Sequence, residues 1–115
     1  VPMTERRHEP RVKALTLVDV AEFNEAGLLE ALTMGRTMDL SHDGMKLELN
    51  HELPVEKSLT LELELGEQVL ELRGKVKSVQ PAEAEAGRWV MGIEFTDLST
   101  DHYERLDEYV TLHGE

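Results

Sequence analysis

Four leucines at strict two-residue spacing, Leu59, Leu61, Leu63 and Leu65, separated by Thr60, Glu62 and Glu64, constrain this chain more than any other feature. Successive side chains point to opposite faces only in an extended strand, so this run has one apolar and one wet face. Gly66 and Glu67 then offer a turn. Beyond them Leu70 and Leu72 alternate with Glu71 and Arg73 and continue through Val76 and Val79, the pattern of a return strand. Gly74, inside that strand, is expected to mark a bulge or sharp bend.

The rest of the chain repeats the theme. Residues 12–20 are rich in β-branched and leucine side chains and read as a first strand. Residues 24–27 read as a turn, and residues 28–34 fit either a short helix or an extended segment. Residues 37–40 end a second strand, closed by a turn at residues 41–44. Met45, Leu47 and Leu49 alternate with Lys46 and Glu48, and residues 50–54 form a loop. After a polar loop at residues 81–87, Trp89, Met91, Ile93 and Phe95 line one face of a last strand. The period then changes: Tyr103, Leu106 and Val110 recur at helical spacing, with Tyr109 widening the stripe and Ser99, Thr100 or Asp101 available as a cap. The reading is an all-β fold, a small six-stranded antiparallel β-barrel with a C-terminal helix covering one opening, whose closure leaves no exposed edge.

Composition narrows the function. One hundred and fifteen residues make one domain. No apolar run approaches the roughly 20 residues that span a bilayer, so membrane insertion is not expected, and there is no secretory h-region. The start at Val1, with Met3 close behind, suggests vector-derived residues or a domain excised from a longer chain. Zero cysteines removes disulfides and thiolate chemistry and accords with a cytoplasmic location. The net charge of −12 is uneven: residues 1–13 carry an excess of +2, leaving −14 on the rest. Such a surface repels a nucleic acid, whose binding needs many phosphate contacts, but tolerates one or two phosphates held by a few arginines.

Those arginines are Arg6, Arg7 and Arg11. The guanidinium fork matches phosphate oxygens and stacks on a base, and Pro10 favours an ordered bend. About thirty residues on, Asp39-Leu40-Ser41-His42-Asp43-Gly44 interrupts an apolar stretch. Asp and Ser side chains hold tight turns by accepting backbone N–H groups, and Gly44 is expected to supply a positive φ. Taken singly, terminal arginines have solvation as their plain alternative reading, and such a turn is common hairpin chemistry. Leu40 reads as core.

Together, in this order and on this strand layout, the two motifs resemble those of the PilZ domain family, bacterial receptors for cyclic di-GMP. The family's R-x-x-x-R corresponds to Arg7-His8-Glu9-Pro10-Arg11, and its D/N-x-S-x-x-G to Asp39-Leu40-Ser41-His42-Asp43-Gly44. The strand ending Met91-Gly92-Ile93-Glu94-Phe95, followed by a helix, is also similar, so the resemblance covers residues 5–112. It implies a flexible arginine-bearing arm at 1–11 and a barrel domain at 12–112. It further implies that Arg7 and Arg11 grip the phosphates and guanines, while Arg6 resembles members that take an intercalated pair of ligands rather than one. Asp39 and Ser41 would meet a guanine edge and brace the loop, and Gly44 would let the backbone approach closely. Arg36 and Arg73 read as surface charges, and His8 and His42 as candidates for stacking near guanine.

The implied function is a non-catalytic receptor of cyclic di-GMP, with no cofactor. Ordering of the arm against the barrel would relay the signal to a downstream protein or neighbouring domain, in motility or biofilm control. The alternative within the fold is a ligand-free protein adaptor. An unrelated barrel for single-stranded nucleic acid is disfavoured by charge and by only five aromatic residues. The scattered histidines have no metal-ligand spacing. Glu62, Glu64, Glu67 and Glu71 read as the wet face of a hairpin rather than an acid–base pair.

Overall fold

The leucine hairpin forms as the alternation requires. In the computed structural model, which describes residues 17–113, β4 (Ser58–Leu65) and β5 (Gln68–Pro81) pair from Ser58↔Lys75 to Leu65↔Gln68. Gly66 turns between them at φ +65°. Leu59, Leu61, Leu63, Leu65, Leu70 and Leu72 are all buried, and Glu62, Glu64 and Glu71 are in water.

The other elements are β1 (Leu17–Phe23), β2 (Leu29–Leu40), β3 (Gly44–Leu49), β6 (Trp89–Thr96) and α1 (Thr100–His113). All neighbours are antiparallel, and the sheet closes on itself in the order β1-β2-β3-β6-β5-β4. This is the expected six-stranded barrel with its terminal helix. The segment at residues 28–34, open between helix and strand, is extended and belongs to β2, which pairs with β1 from Leu17↔Arg36 to Phe23↔Leu29. Of the strand expected over residues 12–20, the described part starts at Leu17 and runs on to Phe23. Residues 12–16 lie outside the described residues, as do Arg6, Arg7, His8 and Arg11.

Two strands change the parity of their inward side chains. In β5 the buried residues are Leu70, Leu72, Gly74 and Val76, and then Val79 packs on the core; the register shifts between Val76 and Ser78. In β2 Thr37 is buried, then Leu40, and the register shifts between Thr37 and Asp39. Each shift inserts one extra residue, which bends the strand and tightens barrel curvature. The irregularity expected at Gly74 is therefore three residues further on. Gly74 itself stays in register with Leu59 and Phe95. Its hydrogen is needed for a different reason, since a Cβ there would lie 2.7 Å from Ile93 Cγ2.

The barrel is filled almost wholly by aliphatic side chains, and α1 adds Leu106 and Val110, both fully buried, to the same core. Ser99 caps the helix: its hydroxyl accepts the His102 N–H at 3.0 Å. Arg105 donates to Gln68 at 2.7 Å, tying the helix to the start of β5. The helix thus covers the end of the barrel at which β2 gives way to β3. That is the end carrying the Asp39–Gly44 turn.

Candidate functional site

The turn is built from inside outward. Leu40 anchors it in the core with no exposure. Ser41, also fully buried, donates its hydroxyl to Asp43 Oδ1 at 2.7 Å, and its N–H donates to the Gly44 carbonyl at 2.9 Å. The Phe95 N–H donates to the Asp43 carbonyl at 3.0 Å, fastening the turn to β6. Buried polar groups stay in place because losing a partner costs the desolvation already incurred. Ser41 therefore holds the loop's shape and presents nothing to solvent.

Gly44 does not adopt positive φ; among the described glycines only Gly27, Gly66 and Gly87 do. The expectation is corrected, and the reason for glycine is proximity. A Cβ at Gly44 would fall against the Ile93 carbonyl oxygen, inside the 3.0 Å that real Cβ atoms respect. Close approach of the backbone is what this position supplies, but it is approach to β6.

His42 is turned away from the outer face. Its ring packs edge-on against Tyr103 of α1, with centroids 4.8 Å apart and planes at 69°, and Nδ1 lies 4.0 Å from Asp107. This edge-on contact with a helix tyrosine joins the turn mechanically to α1.

Outside the turn the register assembles a surface. Asp39 stands opposite Lys46, Lys46 opposite Gly92, and Gly92 opposite Ser78, a row across β2, β3, β6 and β5 on the outer face. Gly92 makes a floor with no side chain, and its N–H donates to the Ser78 hydroxyl at 3.2 Å. A Cβ there would lie 2.6 Å from that hydroxyl. Lys77, the residue at the β5 irregularity, flanks the same open groove of about 280 Å³, together with Asp43, Gly44, Lys46 and Glu94. The Glu56 carboxylate, accepting from Lys77 at 2.7 Å, raises the lysine's pKa and has its own lowered in return. Glu94 lies 3.8 Å away. Lys46 and Lys77 thus give the groove cationic groups able to attract an anion, and half-buried Asp39 stands opposite Lys46 in the adjoining strand with its Oδ1 turned away from solvent.

The structure brings Asp39, Ser41 and Gly44 together at one turn, of which Gly44 lines the groove while Ser41 is buried beneath it. Lys46, Gly92 and Lys77 were missed as site residues because only cross-strand register makes them neighbours. Arg36 and Arg73 are engaged elsewhere. Arg36 donates through Nε and Nη2 to Glu48 at 3.1 and 2.6 Å, and Arg88 Nε lies 3.4 Å from the same oxygen. Arg73 lies 3.8 Å from Asp97, both highly exposed. Among the described residues no group of three or more histidines, aspartates or glutamates is placed to hold a metal ion. No described helix is long and apolar enough to cross a membrane.

Comparison with solved structures finds the same barrel repeatedly. The PilZ domain of YcgR from Escherichia coli, solved with c-di-GMP, superposes with a TM-score of 0.70 at 16% identity, over 95% of this chain and 92% of that one. The Bacillus subtilis inhibitor of motility MotI/DgrA gives 0.71 at 16% identity, over 95% of this chain and 51% of that one. MrkH from K. pneumonia gives 0.71 at 17%, over 96% and 51%. The chain spans about half the length of these last two proteins. A search of curated proteins returned no match. A family model for the PilZ domain matches residues 5–112, nearly the whole chain and both motifs, and on that basis the chain belongs to the PilZ domain family, a family of non-catalytic receptor domains.

Proposed function

We propose that the chain is a receptor for cyclic di-GMP, bound on the outer face of β2, β3, β6 and β5 beside the Asp39–Gly44 turn. The observation that carries this reading is the preformed turn, with Ser41 buried as its brace and Asp39 in one cross-strand row with Lys46 and the side-chain-free floor at Gly92. The PilZ family match begins at residue 5 and so takes in Arg7 and Arg11. The YcgR PilZ domain and MrkH are both known in structures with c-di-GMP.

In this reading the Asp39 carboxylate accepts the N1–H and N2–H of one guanine, a paired geometry that a carboxylate matches. Arg7 and Arg11 hold the phosphates and stack on the bases, with Arg6 available for a second, intercalated ligand. Lys46 and Lys77 add cationic potential at the groove. Ser41 and Gly44 act indirectly, the one by bracing the loop and the other by letting β3 lie against β6. Binding draws the arginine segment onto the barrel, and the ordering entropy this costs is offset by phosphate and guanine contacts. The altered surface is the signal to a downstream protein or neighbouring domain, shifting a population rather than catalysing a reaction. Relatives carry names that speak of motility, cellulose synthesis and transcription, so the output follows from the partner attached.

Isothermal titration of cyclic di-GMP into the chain, beside Arg7→Ala, Arg11→Ala and a GTP control, tests this. Saturable heat that is lost in both variants and absent with GTP is expected, and the fitted ratio separates one ligand from two. A folded sample that binds nothing by two independent methods overturns the reading in favour of a ligand-free adaptor.

A further inference from the structure

The barrel's opposite flank carries a feature the ligand reading leaves unused. On the outer face of β2, Leu32 and Met34 are 75% and 56% exposed, although each sits in a regular ladder with β1. Beside them, Asp19 stands directly opposite Glu62, and Glu62 directly opposite Glu71, so three carboxylates occupy one row across β1, β4 and β5. Met34 completes that row on the β2 side, opposite Asp19. Together these residues line an open depression of about 610 Å³, larger than the groove beside the turn.

Neither half of this arrangement helps the isolated domain. Like charges directly opposite in a ladder destabilise a sheet, and large exposed aliphatic side chains gain nothing in water. The crowding accords with a raised pKa at Glu62, caused first by a hydrogen bond shared with Asp19, then by slight desolvation and the neighbouring carboxylates. A surface with adjacent apolar and anionic rows is complementary to one kind of partner. We infer that the outer face of β1, β2, β4 and β5 docks a protein segment whose apolar side chains are bordered by lysine or arginine.

A second copy of this chain fits poorly. A two-fold contact through this face would bring Asp19, Glu62 and Glu71 of each copy against the other's, with no cation among the described residues that line it. The strand order places β1 and β4 across the barrel from β6 and β3. The docking face and the ligand groove share β2 and β5 but use different stretches of them and have no lining residue in common, so they can be occupied together.

The test uses the ¹⁵N-labelled full chain and a synthetic helical peptide with a leucine stripe bordered by lysines; a control peptide of equal charge has serines in place of the leucines. The expected result is saturable amide shifts centred on residues 19–21, 32–34, 60–62 and 71 with the leucine peptide, weak or absent with the serine peptide. Leu32→Ser with Met34→Ser is expected to weaken binding about tenfold or more, from lost apolar burial. Asp19→Asn with Glu62→Gln is expected to weaken it and flatten its salt dependence. Both double variants leave the turn and arginine motifs untouched, so cyclic di-GMP titration into them is a separate readout. Shifts spread over other acidic faces, or binding unchanged in both variants, overturn the proposal. So does a Leu32→Ser change that perturbs the first sixteen residues without peptide, since the chain's own amino-terminal segment would then be the occupant.

Discussion

Gly44→Ala and Gly66→Ala make the same chemical change for opposite structural reasons, and the pair tests why the motif turn ends in glycine. At Gly66 the backbone is left-handed and a new methyl meets nothing within 4 Å. Left-handed φ costs an L-residue roughly 1–2 kcal/mol, and the stiffer unfolded chain returns about 0.4–1 kcal/mol, leaving about 1 kcal/mol of net destabilisation. At Gly44 the conformation is accessible to alanine, but the methyl lands on the Ile93 carbonyl oxygen. That oxygen belongs to a strand paired on both sides in a closed barrel, so it cannot swing away as a side chain would. Overpacking of this kind costs up to about 3 kcal/mol. The same unfolded-chain offset leaves about 2 kcal/mol, or a fall in Tm of roughly 8–16 °C for a domain near this size. Urea and thermal unfolding followed by circular dichroism, with m-values held equal, read both variants directly. If Gly44→Ala proves no more destabilising than Gly66→Ala, close approach is not what this glycine supplies, and the account of the turn is wrong.

Ser41→Ala removes the brace while leaving the exposed groove intact; it should cost about 1 kcal/mol of stability and weaken cyclic di-GMP binding with no contact to the ligand. Titration of Ser41→Ala beside Ser41→Thr, compared with urea unfolding of each, separates a brace from a direct contact. A double-mutant cycle over His42 and Tyr103 should return a coupling of about 0.5–1.5 kcal/mol, and a value near zero would uncouple the turn from the helix. Glu62→Gln should raise Tm at neutral pH. A carboxyl whose folded pKa is raised above its unfolded value contributes most below both values and loses that contribution as pH rises through them. The glutamine's advantage should therefore vanish in acid, below Glu62's ordinary value of 4.5, grow as pH rises from there through the raised value, and level off above it. Thermal melts across that range check it, and an advantage independent of pH would count against the carboxylate row.

Local patterning carries most of the fold. Period-two alternation around Leu59–Leu65 and Met45–Leu49 can bury its apolar side only as strand, and the shift to helical spacing at Tyr103, Leu106 and Val110 can only be an amphipathic helix. The odd spacing from Val76 to Val79 matches the irregularity in β5, which the sequence reading places at Gly74 instead. Residues 28–34 were not legible. Leu32 and Met34 are exposed, so no alternation of burial marks them, and it is pairing with β1 that makes them strand.

The two family motifs were visible as residue types in order, because a carboxylate, a small hydroxyl, a glycine and spaced arginines are chemically distinctive wherever they fold. Their mechanical roles were not visible. Ser41 faces inward, Gly44 is required by Ile93 forty-nine positions away, and His42 packs on Tyr103. The neighbours Lys46, Gly92 and Lys77 and the carboxylate row of Asp19, Glu62 and Glu71 exist only through register between strands distant in sequence. Pattern along a chain records what each residue prefers to face. Which residues share a surface is decided by barrel closure, because a ladder's register is set jointly by all the strands that must close it.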